Sequence, residues 1–433
     1  MRKVLILLVV FLGLGAYVYF YEIAGWEERQ KAEQLQESLL RLEEDQIESI
    51  EISLQGRDPV LLVKDREEWQ LRRPLEAPAS ESEVRTLLQR LTEARRNRSF
   101  EAEQDLSAYG LDEPRLRVTI STPDGARELA IGNSDFAETN VYVRLSDEEE
   151  VFLTSQLLAS ALDKDALSWR SRKILRFEQD ELATLEIQRQ EETITLTRKN
   201  GDWFLERPLQ EKADRSTVSA LLSSLSGADV RDFVDESPED LTPYGLTTPR
   251  ITVRMRAQGS DAWNSLELGS ESDGAVYARN PQRNPVVTLP NSVFESAAKP
   301  LWEFRNKDVV DIPQDEVSRL TLKHPDAEIV LRREDFQWLI EKPEELKDRN
   351  VPSYRIWFPL SDIRFESLET VDYFPEPEIT VTLQTTEGTF RTFEFSRREE
   401  QFFARQVESG RWGLISEDPF EKLMIRAEEA AEE

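Results

Sequence analysis

Apolar and polar positions along this chain fall into one ordered set of patterns that is written three times. Ile50-Glu51-Ile52-Ser53-Leu54, Val60-Leu61-Leu62-Val63 and Trp69-Gln70-Leu71 have strand length and are parted by turn residues, which predicts a three-stranded antiparallel meander. Val84, Leu87, Leu88 and Leu91 then recur at helical spacing behind Ser80 and Glu83, a capping box. Four more short strands follow, two of them joined by Thr122-Pro123-Asp124-Gly125, and a second helix is capped at Thr154 or Ser155. The order returns with Leu185-Glu186-Ile187, Ile194-Thr195-Leu196, Trp203-Phe204-Leu205 and a helix capped by Asp214. It returns again, more worn, from Leu320-Thr321-Leu322 onward.

The copies are anchored by short motifs. Trp69 and Pro74 correspond to Trp203 and Pro208 and to Trp338 and Pro343. Tyr109-Gly110-Leu111 with Pro114 corresponds to Tyr244-Gly245-Leu246 with Pro249, while the third copy has Tyr373-Phe374-Pro375 there instead. A fixed period of this kind marks tandem repeats. The tryptophans are expected in cores, and the Tyr-Gly-Leu motifs need glycine for a turn of positive φ with tyrosine as a lid on the core. Arg172 and Arg305, each three residues after a tryptophan (Trp169, Trp302), are expected at the joints between modules, paired with carboxylates of the next one.

Before the repeats, residues 4–21 are unbroken by charge, with Arg2 and Lys3 ahead and Glu22, Glu27 and Glu28 behind. Eighteen residues of helix span about 27 Å, enough to cross a bilayer core. The flanking charges put the N-terminus in the cytoplasm and the bulk outside, at a bacterial inner membrane. A cleaved signal peptide is the competing reading; the length of the run and its bulky aromatic end favour an uncleaved anchor. Leu35, Leu39 and Leu42 then predict a helical stalk.

The expected architecture is therefore α+β. A transmembrane signal anchor (1–25) and a stalk (26–46) precede three modules (47–176, 177–312, 313–425), each of antiparallel strands with two helices, and an acidic frayed tail (426–433) ends the chain.

Charge and composition narrow the chemistry. The 433 residues carry 85 acidic and 55 basic side chains, a net charge of -30, which repels phosphate backbones and argues against nucleic acid. Without cysteine there is no disulfide framework, thiol nucleophile or thiolate metal site. His324, the one histidine, sits in a turn, is expected to be solvated, and cannot alone build a catalytic triad or a zinc site of several histidines. Residues 235–240 are acidic but lack the spacing and glycine of a calcium loop. No cofactor is called for, and 85 carboxylates offer too many pairs for any one to point to carboxylate catalysis.

The anchor, Trp-x-Leu-x-x-Pro, the capped helix with Val-x-x-Leu-Leu-x-x-Leu and Tyr-Gly-Leu-x-x-Pro together resemble the bacterial family known as domain of unknown function 4340. Members often accompany gliding-motility-type ABC transporter components. The resemblance implies a non-enzymatic, membrane-anchored extracytoplasmic scaffold or accessory subunit of such a complex, with integral-membrane or envelope proteins as partners. A binding module for envelope polymer or small ligand is the alternative, and a carboxylate-dependent hydrolase a more distant one.

Overall fold

The computed structural model describes residues 38–101, 105–369 and 374–431. The first sheet contains β1 (Ser49–Leu54), β2 (Val60–Asp65), β3 (Glu68–Arg73), β4 (Ala77–Pro78), β5 (Arg98–Phe100), β6 (Leu116–Thr122), β7 (Gly125–Ser134), β8 (Asn140–Leu145) and β9 (Val151–Ser155). Its order is β4-β3-β2-β1-β6-β7-β8-β9-β5. Helices α1 (Glu81–Glu93) and α2 (Gln156–Leu162) accompany it. Alternation in β1 sends Ile50 and Ile52 inward to meet Val84, Leu87, Leu88 and Leu91 of α1 in one core. Each such side chain contributes about 1.5–3 kcal/mol on burial.

The second sheet repeats this strand for strand. It holds β10 (Leu182–Arg189), β11 (Thr193–Lys199), β12 (Asp202–Arg207), β13 (Glu211–Lys212), β14 (Asp232–Asp235), β15 (Ile251–Ala257), β16 (Asn264–Ser272), β17 (Ala275–Arg279) and β18 (Val286–Pro290), with helices α3 (Arg215–Ser226), α4 (Asn291–Ala298) and α5 (Leu301–Phe304). The third has eight strands: β19 (Val317–His324), β20 (Ala327–Glu334), β21 (Gln337–Lys342), β22 (Asn350–Val351), β23 (Ile379–Thr385), β24 (Phe390–Arg398), β25 (Gln401–Gln406) and β26 (Trp412–Ile415). Its helices are α6 (Trp357–Ser361), α7 (Glu417–Leu423) and α8 (Ala427–Ala430). Among the described residues no ninth strand joins this sheet; Glu366 and Glu369 each donate one backbone bond to β26, to the Leu414 and Trp412 carbonyls.

The expected α+β class is corrected by this arrangement: the protein is mostly antiparallel β, in three large sheets. The reason is that the two meanders of a module are one sheet. Ile50 pairs with Leu62 on one side and Ile120 on the other, so β1 is central and the helices are left as short covers. Among the described residues no helix is long and apolar enough to cross a membrane. The single-pass anchor and the inner-membrane localisation built on it are therefore not supported; the run at residues 4–21 lies outside the described residues.

Two smaller expectations also change. The end of the predicted stalk belongs to the first module, because Leu39 and Leu40 are fully buried in its core; residues 26–37 lie outside the described residues. Short 3-10 turns at Glu44–Gln46, Gln179–Glu181 and Gln314–Glu316 recur every 135 residues, as do the first members of the bridges Ser38↔Arg95, Lys173↔Asp229 and Asp308↔Arg364. The repeating unit thus starts near 38, 173 and 308. At the other end Ala427 and Ala430 are buried in the third core, so α8 is packed rather than frayed.

The chain divides into two compact units, one comprising Met1–Ile174 with Asp229–Arg231, the other Leu175–Ala228 with Asp232–Glu433. The second unit therefore contains both the second and third sheets.

In each of the first two modules the Tyr-Gly backbone crosses a strand at a glycine. A Cβ on Gly132 would lie 2.2 Å from the Tyr109 carbonyl oxygen, and one on Gly269 would lie 2.1 Å from that of Tyr244. Both atoms are backbone and cannot swing aside. Gly132→Ala and Gly269→Ala are each expected to destabilise their module by about 2 kcal/mol, read as a shift in the urea midpoint; an unchanged midpoint would show that the crossing is looser than this.

Candidate functional site

The repeated residues are dispersed, one set to each sheet. Trp203 and Trp338 are buried and Trp69 is half-buried, packed on the first core. Trp338 stacks on Trp357, ring centroids 5.8 Å apart. Pro74, Pro208 and Pro343 all follow cis peptide bonds. Gly110 and Gly245 end 3-10 turns with φ of 66°, in the left-handed region where a side chain is strained. Leu111 and Leu246 are buried, and Pro114 and Pro249 are half-buried. Tyr109 packs on Tyr142 at 5.0 Å and Tyr244 on Tyr277 at 5.2 Å, with the Tyr244 hydroxyl donating to Asp235 Oδ2 at 3.1 Å. These contacts tie the motif to its own sheet. In the third module Phe374 takes a comparable place against Trp412, and Tyr373 lies outside the described residues.

A cleft of about 670 Å³ opens in the second unit between α3 and the start of the third module, bordered by Asp202, Lys212, Asp214, Asp308, Asp311 and Arg364. Asp214 caps α3, its Oδ1 accepting from the Thr217 amide at 2.8 Å and the Ser216 hydroxyl at 2.5 Å. Its Oδ2 accepts from Arg364 Nη2 at 2.6 Å, and Arg364 Nε reaches Asp308 Oδ1 at 3.2 Å. One guanidinium thus joins two carboxylates, a geometry suited to its planar fork. Nearby, Gln406 donates to the Val309 carbonyl at 2.8 Å and Arg411 to that of Asn306 at 2.5 Å.

The two carboxylates are driven apart in acidity. Burial raises Asp214, but the Ser216 hydroxyl, the Thr217 amide and Arg364 outweigh it, and its pKa lies below the ordinary value. Burial lifts Asp308 above that value; Arg364 opposes, and the Asp214 and Asp311 charges add to the rise.

The joint arginines need correction. Arg305 does not reach into the next module: it forms a two-pronged pair with Glu211 of its own, at 2.6 and 2.9 Å. Arg172 is exposed, and its carbonyl accepts from the Val230 amide at 2.8 Å. The two are not counterparts. Ala213↔Arg305 repeats Ala79↔Arg170, so the equivalent of Arg305 is the buried Arg170. Pairing Trp169 with Trp302 put the comparison two residues out of register, whereas the period of 135 matches Trp169 with Phe304.

Arg364 was missed by sequence reasoning, and the same period would have found it. It stands where Asp229 stands in the preceding repeat, and Asp308 stands where Lys173 does. Lys173 Nζ lies 2.9 Å from Asp229 Oδ1, so the ion pair recurs with its charges exchanged.

Other candidates resolve into local structure. His324 is buried rather than solvated, with Nε2 2.9 Å from the Ile425 carbonyl and Nδ1 accepting from the Asp326 amide at 3.3 Å. In that arrangement Nδ1 accepts and Nε2 faces an acceptor. Asp235 and Asp240 accept from the Ser237 and Thr242 amides. Ser80 makes no cap bond: its hydroxyl lies 3.2 Å from that of Ser82, and Glu83 pairs with Lys164. Ser155, not Thr154, caps α2. Among the described residues no group of three or more His, Cys, Asp or Glu could hold a metal ion.

The model of a family described as a domain of unknown function (DUF4340) matches residues 69–211 and 203–388. The chain belongs to this family. The two matches begin at Trp69 and Trp203, the repeated tryptophans, so in DUF4340 terms the chain is a repeated domain. No curated protein and no solved structure matches it.

The acidities in this DUF4340 cleft set opposite pH dependences. Asp308, raised in the fold, adds stability below the ordinary carboxylate pKa and loses that contribution as pH rises through its own; Asp308→Asn should therefore raise the melting temperature at pH 7, with the gain fading in acid. Asp214, lowered in the fold, contributes above the ordinary value and loses that as pH falls through its own. Asp214→Ala should cost about 1 kcal/mol at pH 7, with the deficit shrinking toward pH 3. Melting curves across that range check both signs.

Proposed function

We propose that this protein is a non-enzymatic scaffold that binds protein partners through surfaces of its repeated sheets, as an accessory subunit of a gliding-motility-type ABC transport complex. The observation that carries the reading is how its charged side chains are used. Arg364 links Asp214 to Asp308, Arg305 grips Glu211, and Asp235 and Asp240 hold backbone amides. The first of these ties one module to the next, the second ties two segments of one module, and the last two hold a loop to itself. A catalytic carboxylate would instead have to face substrate with its lone pairs uncommitted.

The repeated elements fit the same reading, since each copy spends them on its own core. A net charge of -30 suits basic faces on protein partners and repels nucleic acid. The transporter as partner rests on the family resemblance. The cleft of about 670 Å³ favours one second reading, a binding module for a small ligand or polymer segment, because that volume falls in the range of ligand pockets.

Chemical crosslinking of the full-length chain in its own cells tests the proposal. Recovery of ABC permease or ATPase subunits in stoichiometric adducts is expected. Recovery of the chain alone, together with a rise in melting temperature on adding an envelope polymer, would overturn the scaffold and favour the cleft.

A further inference from the structure

The three modules offer an internal comparison at one hairpin. In the second module β16 and β17 are joined by two residues, Asp273 and Gly274, and in the third β24 and β25 by Glu399 and Glu400. The first module uses five between β7 and β8, Asp135 to Thr139. Two residues close this hairpin in its sisters, so the fold does not call for the longer loop. What the extension adds is Phe136, whose side chain is fully exposed.

The loop around it is firmly built. Asp135 Oδ1 accepts from the amides of Thr139 and Asn140 at 2.9 and 3.1 Å, and Oδ2 from Asn140 Nδ2 at 2.8 Å. The Asp135 amide donates to the Asn140 carbonyl at 2.9 Å and the Glu138 amide to the Asp135 carbonyl at 3.0 Å. Asn97 Nδ2 reaches Asn140 Oδ1, and the Gln156 amide reaches the Thr139 carbonyl, both at 2.9 Å. The next residue, Leu157, is itself exposed. A large aromatic on a loop already ordered meets a partner with little further entropy to lose, and such aromatics dominate binding when they fill a pocket.

We propose that this hairpin tip is a preformed docking finger, with Phe136 entering an apolar pocket on a partner protein whose rim is basic. The rim follows from the two acidic residues of the loop, Asp135 just before Phe136 and Glu138 two residues after it, whose charge would repel an anionic lipid surface or an acidic rim. The proposal rests on the partner-binding reading above and names the contact it would use.

The test places a photoreactive benzoylphenylalanine at position 136 of the full-length chain in cells, and at position 273 as a control. The expected result is an adduct with one identified protein from position 136 and none from 273, mapped by mass spectrometry to apolar residues bordered by Lys or Arg. Phe136→Ala should then weaken binding of that purified protein about thirtyfold and leave the melting temperature unchanged; Asp135→Ala, which loosens the loop, should weaken it by a smaller factor. Equal adducts from both positions, an adduct with lipid, or undiminished binding by Phe136→Ala would overturn the finger. Undiminished binding would leave the scaffold reading standing, whereas no adduct and no co-purifying protein from any variant would sink both.

Discussion

Pairing between β1 and β6, and between their counterparts β10 and β15 and β19 and β23, is the contact on which each module depends. Each half is a meander with its own apolar face, Ile50, Ile52, Leu62 and Leu71 in the first and Val118, Ile120, Leu129 and Ile131 in the second. Joined along this seam, the halves present one continuous face for the helices to cover, and side chains as far apart in sequence as Ile50 and Ile120 share a core. Antiparallel register makes the seam demanding, since a slip of one residue would turn every inward side chain outward. The Tyr-Gly-Leu segment leads into the seam strand, and its backbone crosses Gly132 or Gly269 with no room for a side chain.

The same logic governs the joint between the second and third modules. The chain leaving α5 is held by backbone bridges at Arg305 and Asp308, and Arg364 then ties the N-cap of α3 to the new module. An aspartate already capping a helix gains a second task cheaply, because its remaining oxygen is oriented before the arginine arrives. In the preceding repeat the signs at the equivalent pair are exchanged, Lys173 with Asp229, and in the first the bridge joins Ser38 to Arg95, so the backbone bridge is common to all three and the ion pair to two.

Divergence between copies is informative because the copies share a fold. Where the third module stacks Trp357 on Trp338, the first leaves Trp69 half-open. Where two modules turn tightly, the first extends a loop tipped by phenylalanine. The Trp357 stack belongs to the third module's own core, whereas the loop that carries Phe136 leaves its ring exposed.

Much of this architecture was legible in the chain itself. Strand and helix positions follow from local periodicity and the turns from Gly, Pro and Asp, because these signals are carried by residues a few positions apart; the triplication follows from the recurrence of one short motif at Trp69, Trp203 and Trp338. Sheet closure was not legible, since the partner of β1 lies some seventy residues away and alternation does not say which edges meet. Nor was the burial of Leu39, Ala427 and His324, which depends on segments far off in the chain, such as Ala94 against Leu39 and Ile425 against His324. The ion pairs at the joint were visible only as charges: sequence determined that Asp214 would cap a helix, and tertiary structure decided that Arg364 would complete it, because a guanidinium finds its carboxylate only after two modules have folded.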